Sequence, residues 1–172
     1  MEIAIIEVEA QTAAYAELLD LAGQLAQAQY IPVQETYIDE SIMLGAFVDQ
    51  RCVGFLRLLI QVIGRDRGRP PLTHAGQLLH EGYVEAFGVA PASRRQGIGQ
   101  RLQERAMALC QQRHCYQLRS RSPITSHANY ALKLKLGFAV HPSADNDSYY
   151  FIKTLADRPA SDHDPRERQD RP

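Results

Sequence analysis

The stretch Arg94-Arg95-Gln96-Gly97-Ile98-Gly99 joins an apolar run, residues 83–89, to a segment with helical periodicity. Backbone amides at a helix start lack intrahelical acceptors and lie at the positive end of the helix dipole. Such a turn can therefore hold an anion such as a pyrophosphate. Glycine at 97 and 99 lets the anion approach the backbone, and Arg94 and Arg95 add positive charge beside it. Glycines at a helix start also serve close packing, the plain alternative for the turn taken alone. The second candidate is Glu85, the single charge in the 83–89 run. Burial there would raise its pKa towards the range of a general base, whereas an edge position or an arginine partner would make it structural.

The elements that must position these groups follow from the hydrophobic pattern. Residues 83–89 read as a strand buried on both faces. Pro91 and Ala92 break it, Ser93 offers a capping hydroxyl, and Ile98, Leu102, Ala106, Leu109 and Cys110 recur at helical spacing, predicting a helix that runs on to Arg113. Upstream, residues 2–8 read as a strand. From Thr12, a helix presents Tyr15, Leu18, Leu19, Ala22, Leu25 and Ala26 on one face. Residues 33–40 read as a loop or a short helix. Residues 41–48 and 52–63 form a hairpin turning at Asp49-Gln50-Arg51, without the favoured Asn-Gly pair. A basic loop, Gly64-Arg65-Asp66-Arg67-Gly68-Arg69-Pro70-Pro71, leads back to the 83–89 strand.

Downstream, residues 116–121 read as a strand running parallel to 83–89 through a right-handed crossover. A helix follows, bounded by Ser126 as cap and Gly137 as terminator, and residues 138–141 and 149–155 read as two closing strands. The chain of 172 residues fits one domain, 1–155, and a Pro-, Asp- and Arg-rich tail, 156–172, is expected to be disordered. A net charge of -1, with no basic stripe, speaks against nucleic-acid binding. No apolar run reaches membrane-spanning length and residues 1–8 do not resemble a signal peptide, so the expected location is cytoplasmic. Cys52, Cys110 and Cys115 are an odd count without disulfide spacing. With His114 they make no second ligand pair, so they read as core thiols and no metal is expected.

The turn Arg94-x-x-Gly97-x-Gly99 after a strand resembles the acetyl-coenzyme A signature of the GNAT N-acetyltransferase superfamily. Downstream, Asn129-Tyr130-Ala131-Leu132-Lys133-Leu134-Lys135-Leu136-Gly137-Phe138 is similar to that family's helix ending in Gly-Phe. The resemblance covers residues 1–155. It implies the α/β GNAT acyl-CoA N-acyltransferase fold, a mixed central sheet of about seven strands with helices on both faces. It further implies acetyl-CoA as donor, with its pantetheine along the backbone of Phe87, Gly88 and Val89. The pyrophosphate would lie on Arg94, Arg95, Gln96, Gly97, Ile98 and Gly99, with Asn129 and Lys133 on the other side. Glu85 falls where many family members place the base. The position often held by a general-acid tyrosine holds Lys133, which leaves Lys133 as cofactor contact or acid, Tyr130 as the alternative acid, and Tyr149 or Tyr150 behind it. Tyr30, Glu35 and Tyr37 are candidates for the acceptor pocket. The implied function is acetyl transfer to a primary amine of a small molecule or protein by direct attack in a ternary complex. The alternative is an acyl-CoA-binding module with little catalysis. The basic loop is a candidate contact for an anionic acceptor or for a partner subunit in a homodimer.

Overall fold

The computed structural model describes residues 2–155; the expected tail, 156–172, lies outside the described residues. Strands β1 (Ala4–Glu7), β2 (Ile38–Val48) and β3 (Arg51–Val62) are followed by a small ribbon, β4 (Thr73–His74) with β5 (Gln77–Leu78), then β6 (His80–Val89), β7 (Gln117–Pro123), β8 (Ala139–Pro142) and β9 (Ser148–Thr154). Helices α1 (Ala13–Gln24), α2 (Ile98–Gln112) and α3 (His127–Lys135) connect them. Seven strands form one mixed sheet in the order β1-β2-β3-β6-β7-β9-β8, in which only β6 and β7 run parallel. Among the described residues, no helix is long and apolar enough to cross a membrane.

Alternation along the strands sends successive side chains to opposite faces, and each face is covered by helix. Phe47, Phe55 and Ala86 pack with Leu18, Leu21 and Ala22 of α1 on one side. On the other side Leu56, Leu58 and Val84 pack with Ile98, Leu102, Ala106 and Leu109 of α2. Helix α3 lies beside α2, joined by bonds from Lys133 Nζ to Gln103 Oε1 and from Lys135 Nζ to Gln100 Oε1. Gly137, at φ 77°, ends α3 in the left-handed region that glycine adopts without strain.

Several expectations change. Leu21, not Leu19, completes the buried face of α1; Leu19 is exposed. Ser93 lies in a short turn, Pro91–Ser93, and makes no capping bond; Gly97 holds the N-cap position of α2. Ser126 does precede α3, but its hydroxyl does not cap it. The basic segment is a one-turn helix, Arg65–Arg67, leading into the ribbon β4–β5. The largest correction concerns β6, which begins at His80 and so carries a second charge, Glu81, with no exposed surface. Glu81 accepts hydrogen bonds from Arg119, Gln61 and Gln117. Glutamate and glycine are poor strand formers, so Glu81-Gly82 hides the start of the strand from a propensity reading.

Candidate active site

The site begins with one unpaired residue in β6. Arg57 of β3 stands opposite Ala86 and Leu58 opposite Val84, so Glu85 is the extra residue of a β-bulge. A bulge bends its strand and re-aims a side chain. Here the neighbouring pairing ends as well. Strands β6 and β7 pair only from Glu81 with Gln117 to Val84 with Ser120. Beyond that point β6 follows β3 as far as Val89 and β7 follows β9 as far as Pro123. The edge of residues 85–89 that faces away from β3 thus has no partner strand among the described residues.

A cavity of about 380 Å³ occupies this part of the fold, lined by Glu85 and Phe87 of β6, Ser120 of β7, Gln103 of α2, and Asn129 and Lys133 of α3. Burial raises the pKa of the Glu85 carboxyl above the usual carboxylate range, with Arg57 and Arg119 opposing the shift. Arg57 is buried, and its guanidinium donates to the backbone carbonyls of Tyr30 and Val33 and, at 3.2 Å, to Ser41 Oγ. One arginine thereby fastens the segment after α1 beside the cavity, and Tyr30 comes to line it. Glu35 and Tyr37 do not line it. Burial raises the Tyr37 phenol, and the charges of Glu35 and Glu85 add to that shift.

Lys133 has no exposed surface. Its Nζ donates to Gln103 Oε1 at 2.8 Å and stands 4.4 Å from the centre of the Phe138 ring. With no carboxylate partner, burial alone pushes its pKa down to about 7. Asn129 Nδ2 donates to Ser122 Oγ at 2.7 Å. Three buried polar atoms of residues lining the cavity, Asn129 Oδ1, Gln103 Nε2 and Ser120 Oγ, have no hydrogen-bond partner among the described residues. The Tyr130 hydroxyl donates to the carbonyl of Pro123 at 2.7 Å; Pro123 lines the cavity, and Tyr130 itself does not. Tyr149 packs edge-on against Tyr130, while Tyr150 is bonded by Arg67 and lies beneath Arg119.

The glycine turn is open at its amides. Arg95 at φ 62° and Gly97 at φ 78° are both left-handed, and the first backbone bond into α2 runs from Arg101 N–H to Gly97 O at 3.0 Å. The amides of Ile98, Gly99 and Gln100 have no backbone acceptor among the described residues. Consecutive amides of this kind form an anion-binding concavity. Arg94 Nε donates to Val89 O at 3.2 Å, so its side chain folds back onto the strand end, whereas Arg95 and Gln96 are exposed. The two glycines act differently. A Cβ on Gly97 would meet open space, but one on Gly99 would lie 3.1 Å from the Phe87 ring and 3.3 Å from Leu132.

Phe87, Gly88 and Val89 border the unpaired strand edge, the open amides lie just beyond it, and Asn129 and Lys133 stand across the cavity. This polar slot, running from a free strand edge to an anion cradle, fits a long ligand with amides at one end and a pyrophosphate at the other. Gln103 and Arg57 were missed by sequence reading. Gln103 carried a signal, since it shares a helical stripe with Gly99, Ala106 and Cys110, where a polar residue is conspicuous.

Residues 13–138 match the model of the acetyltransferase (GNAT) family. Among curated proteins, no sequence matches the chain. Solved structures share its fold. The acetyltransferase of GNAT family from Streptococcus pneumoniae is 20% identical, with 90% of this chain and 100% of that one covered and a TM-score of 0.65. NAA60 from Arabidopsis thaliana, in complex with acetyl-CoA, is 13% identical, with 89% and 99% covered and a TM-score of 0.67. The PaiA N-acetyltransferase from Thermoplasma acidophilum, in complex with coenzyme A, is 15% identical, with 90% and 99% covered and a TM-score of 0.64.

Proposed function

The chain belongs to the acetyltransferase (GNAT) family, and from that premise we propose that it is an N-acetyltransferase carrying acetyl from acetyl-CoA to a primary amine of a small molecule or protein. The observation that carries this reading is the free edge of β6: residues 85–89 have no partner strand, with the Glu85 bulge at one end and the open amides of the Gly97 turn at the other. Phe87, Gly88 and Val89 would hold the pantetheine amides, and the 94–99 turn the pyrophosphate. NAA60 and the PaiA protein, of the same fold, bind acetyl-CoA and coenzyme A respectively. Asn129 Oδ1 and Ser120 Oγ, buried and unbonded, are further polar groups open to such a ligand.

Glu85 takes the proton that the acceptor ammonium must lose before nitrogen can attack. Its raised pKa makes it a better base than an exposed carboxylate. Lys133 gives the proton that the departing thiolate must gain. A lysine at about 7 is a stronger acid than a thiol of pKa about 8.5, so the transfer runs downhill. Tyr130 is not assigned this role, because its hydroxyl proton is committed to the Pro123 carbonyl and the tyrosine itself does not line the cavity. Cys52, Cys110 and Cys115 are buried and none lines the cavity, which favours direct attack over an acyl-cysteine intermediate. Three free thiols suit a cytoplasmic setting.

Thiol release measured over a panel of amines tests the reading. Wild type should turn over at least one amine, and Glu85→Gln should lose about 10²–10⁴-fold in kcat with little change in KM for acetyl-CoA. Acetyl-CoA binding without turnover of any amine would favour an acyl-CoA-binding module instead.

A further inference from the structure

Gln103 is a fully buried amide in the first half of α2, the helix whose start forms the glycine turn. One side of it is occupied and the other is not: Oε1 accepts from Lys133 Nζ at 2.8 Å, while Nε2 has no partner among the described residues and Gln103 lines the same cavity as Lys133. A buried amide N–H without an acceptor costs free energy, and it persists most readily where a ligand completes it. The charged groups around Lys133 sharpen the role of the occupied side. Glu85 from β6, Arg121 from β7 and Asp147 from the turn before β9 line the cavity. Arg121 is paired with Asp145 and Asp147, Lys135 is turned to Gln100, and Lys153 donates to Leu136 O. Beside burial and the Phe138 ring, 4.4 Å away, the Gln103 amide is therefore the hydrogen-bonding group in direct contact with the lysine.

We propose that Gln103 is the positioning residue for Lys133: its Oε1 takes one hydrogen of the amine, fixes Nζ at the cavity wall and aims the remaining hydrogens at the donor thioester, beside which its free Nε2–H helps to hold the donor. This rests on Lys133 as the acid of acetyl transfer. In that step the acceptor nitrogen forms a bond to the carbonyl carbon and the carbon–sulphur bond breaks. Sulphur leaves with the electron pair and receives a proton from Lys133 Nζ, which is then reprotonated from solvent. The acceptor ammonium has given one proton to Glu85 before the attack, and its nitrogen loses a second proton to solvent as the neutral amide forms. Gln103 gives and takes no proton; it decides how readily Lys133 holds one.

The chain has three lysines, Lys133, Lys135 and Lys153, so protein labelled with ¹³C-lysine gives a readable side-chain titration without any substrate. Lys133→Met identifies the Lys133 resonance. Gln103→Glu, which puts a carboxylate beside the amine, should raise the titration of Lys133 by about one pH unit or more. Gln103→Met, which removes the acceptor, should lower it. The alkaline limb of the kcat profile should move in the same direction in each variant, and Gln103→Met should raise KM for acetyl-CoA several-fold more than KM for the amine. Thermal unfolding confirms that each variant is folded. If folded Gln103→Glu and Gln103→Met leave the Lys133 titration within about 0.3 pH unit of wild type, the positioning role is overturned while the acid role of Lys133 stands. If Lys133→Met keeps the alkaline limb, the acid reading fails and this inference fails with it.

Discussion

Lys133 and Glu85 place two titrating groups of opposite sense in one cavity. Burial raises the carboxyl and lowers the amine, so the proposed base and the proposed acid are both brought towards neutrality. The lysine also leaves a mark on stability. Its folded pKa of about 7 lies below the unfolded value of about 10.4. Between those values the unfolded chain binds more protons, so this group makes stability rise with pH across that window and weighs fully against folding below it. Lys133→Met should therefore gain stability over wild type, on the order of a few kcal/mol at pH 6, with the gain shrinking by pH 9. Urea unfolding at the two pH values measures it, and a gain independent of pH would show that the amine does not titrate in the folded state. At this scale Glu85 was legible as a charge in an apolar run, and Lys133 as a departure from a pattern. The buried state of Lys133 was not legible, because it depends on Phe138 and Gln103 arriving from other elements.

The strand–turn–helix unit of β6 and α2 was read almost whole, since Pro91, Gly97 and Gly99 punctuate it and the apolar stripe of α2 is regular. The bulge was not read. It is defined by which residue of β3 stands opposite Ala86, and nothing within β6 announces it. The turn makes a distinction that substitution can measure. Gly97→Ala places a side chain in open space but keeps a left-handed φ, at a cost of about 1 kcal/mol. Gly99→Val instead drives methyl groups against Phe87 and Leu132, which join the strand edge to α3. It should cost about 1–3 kcal/mol in urea unfolding and raise KM for acetyl-CoA well beyond the effect of Gly97→Ala. Equal effects at the two positions would mean that Gly99 serves conformation alone.

At the scale of the molecule, Arg119 ties the end of the sheet together. It donates to Glu81 on the neighbouring strand and at 2.8 Å to Asp66 in the basic segment, and it lies over the rings of Tyr83 and Tyr150. The basic segment is thus anchored through its one acid, with Arg67 bonded to Tyr150 and Arg65 3.7 Å from Asp39. Arg119→Met should destabilise the protein by about 3 kcal/mol, because it strands the buried Glu81 carboxylate. Adding Glu81→Gln should restore part of that loss in the same unfolding experiment, and no recovery would mean that the arginine acts mainly through its stacking. This network joins residues far apart in sequence, so the succession of strands along the chain was legible while the reason for the sheet's closure was not. The network also closes the place where β6 and β7 touch, only four residue pairs long. The sheet is accordingly two blades, β1-β2-β3-β6 and β7-β9-β8, riveted at one end like a pair of tweezers. A donor bound along the open edge of β6, as proposed, would occupy the position of a missing strand, and would then be a wedge whose thickness sets how far the tips stand apart.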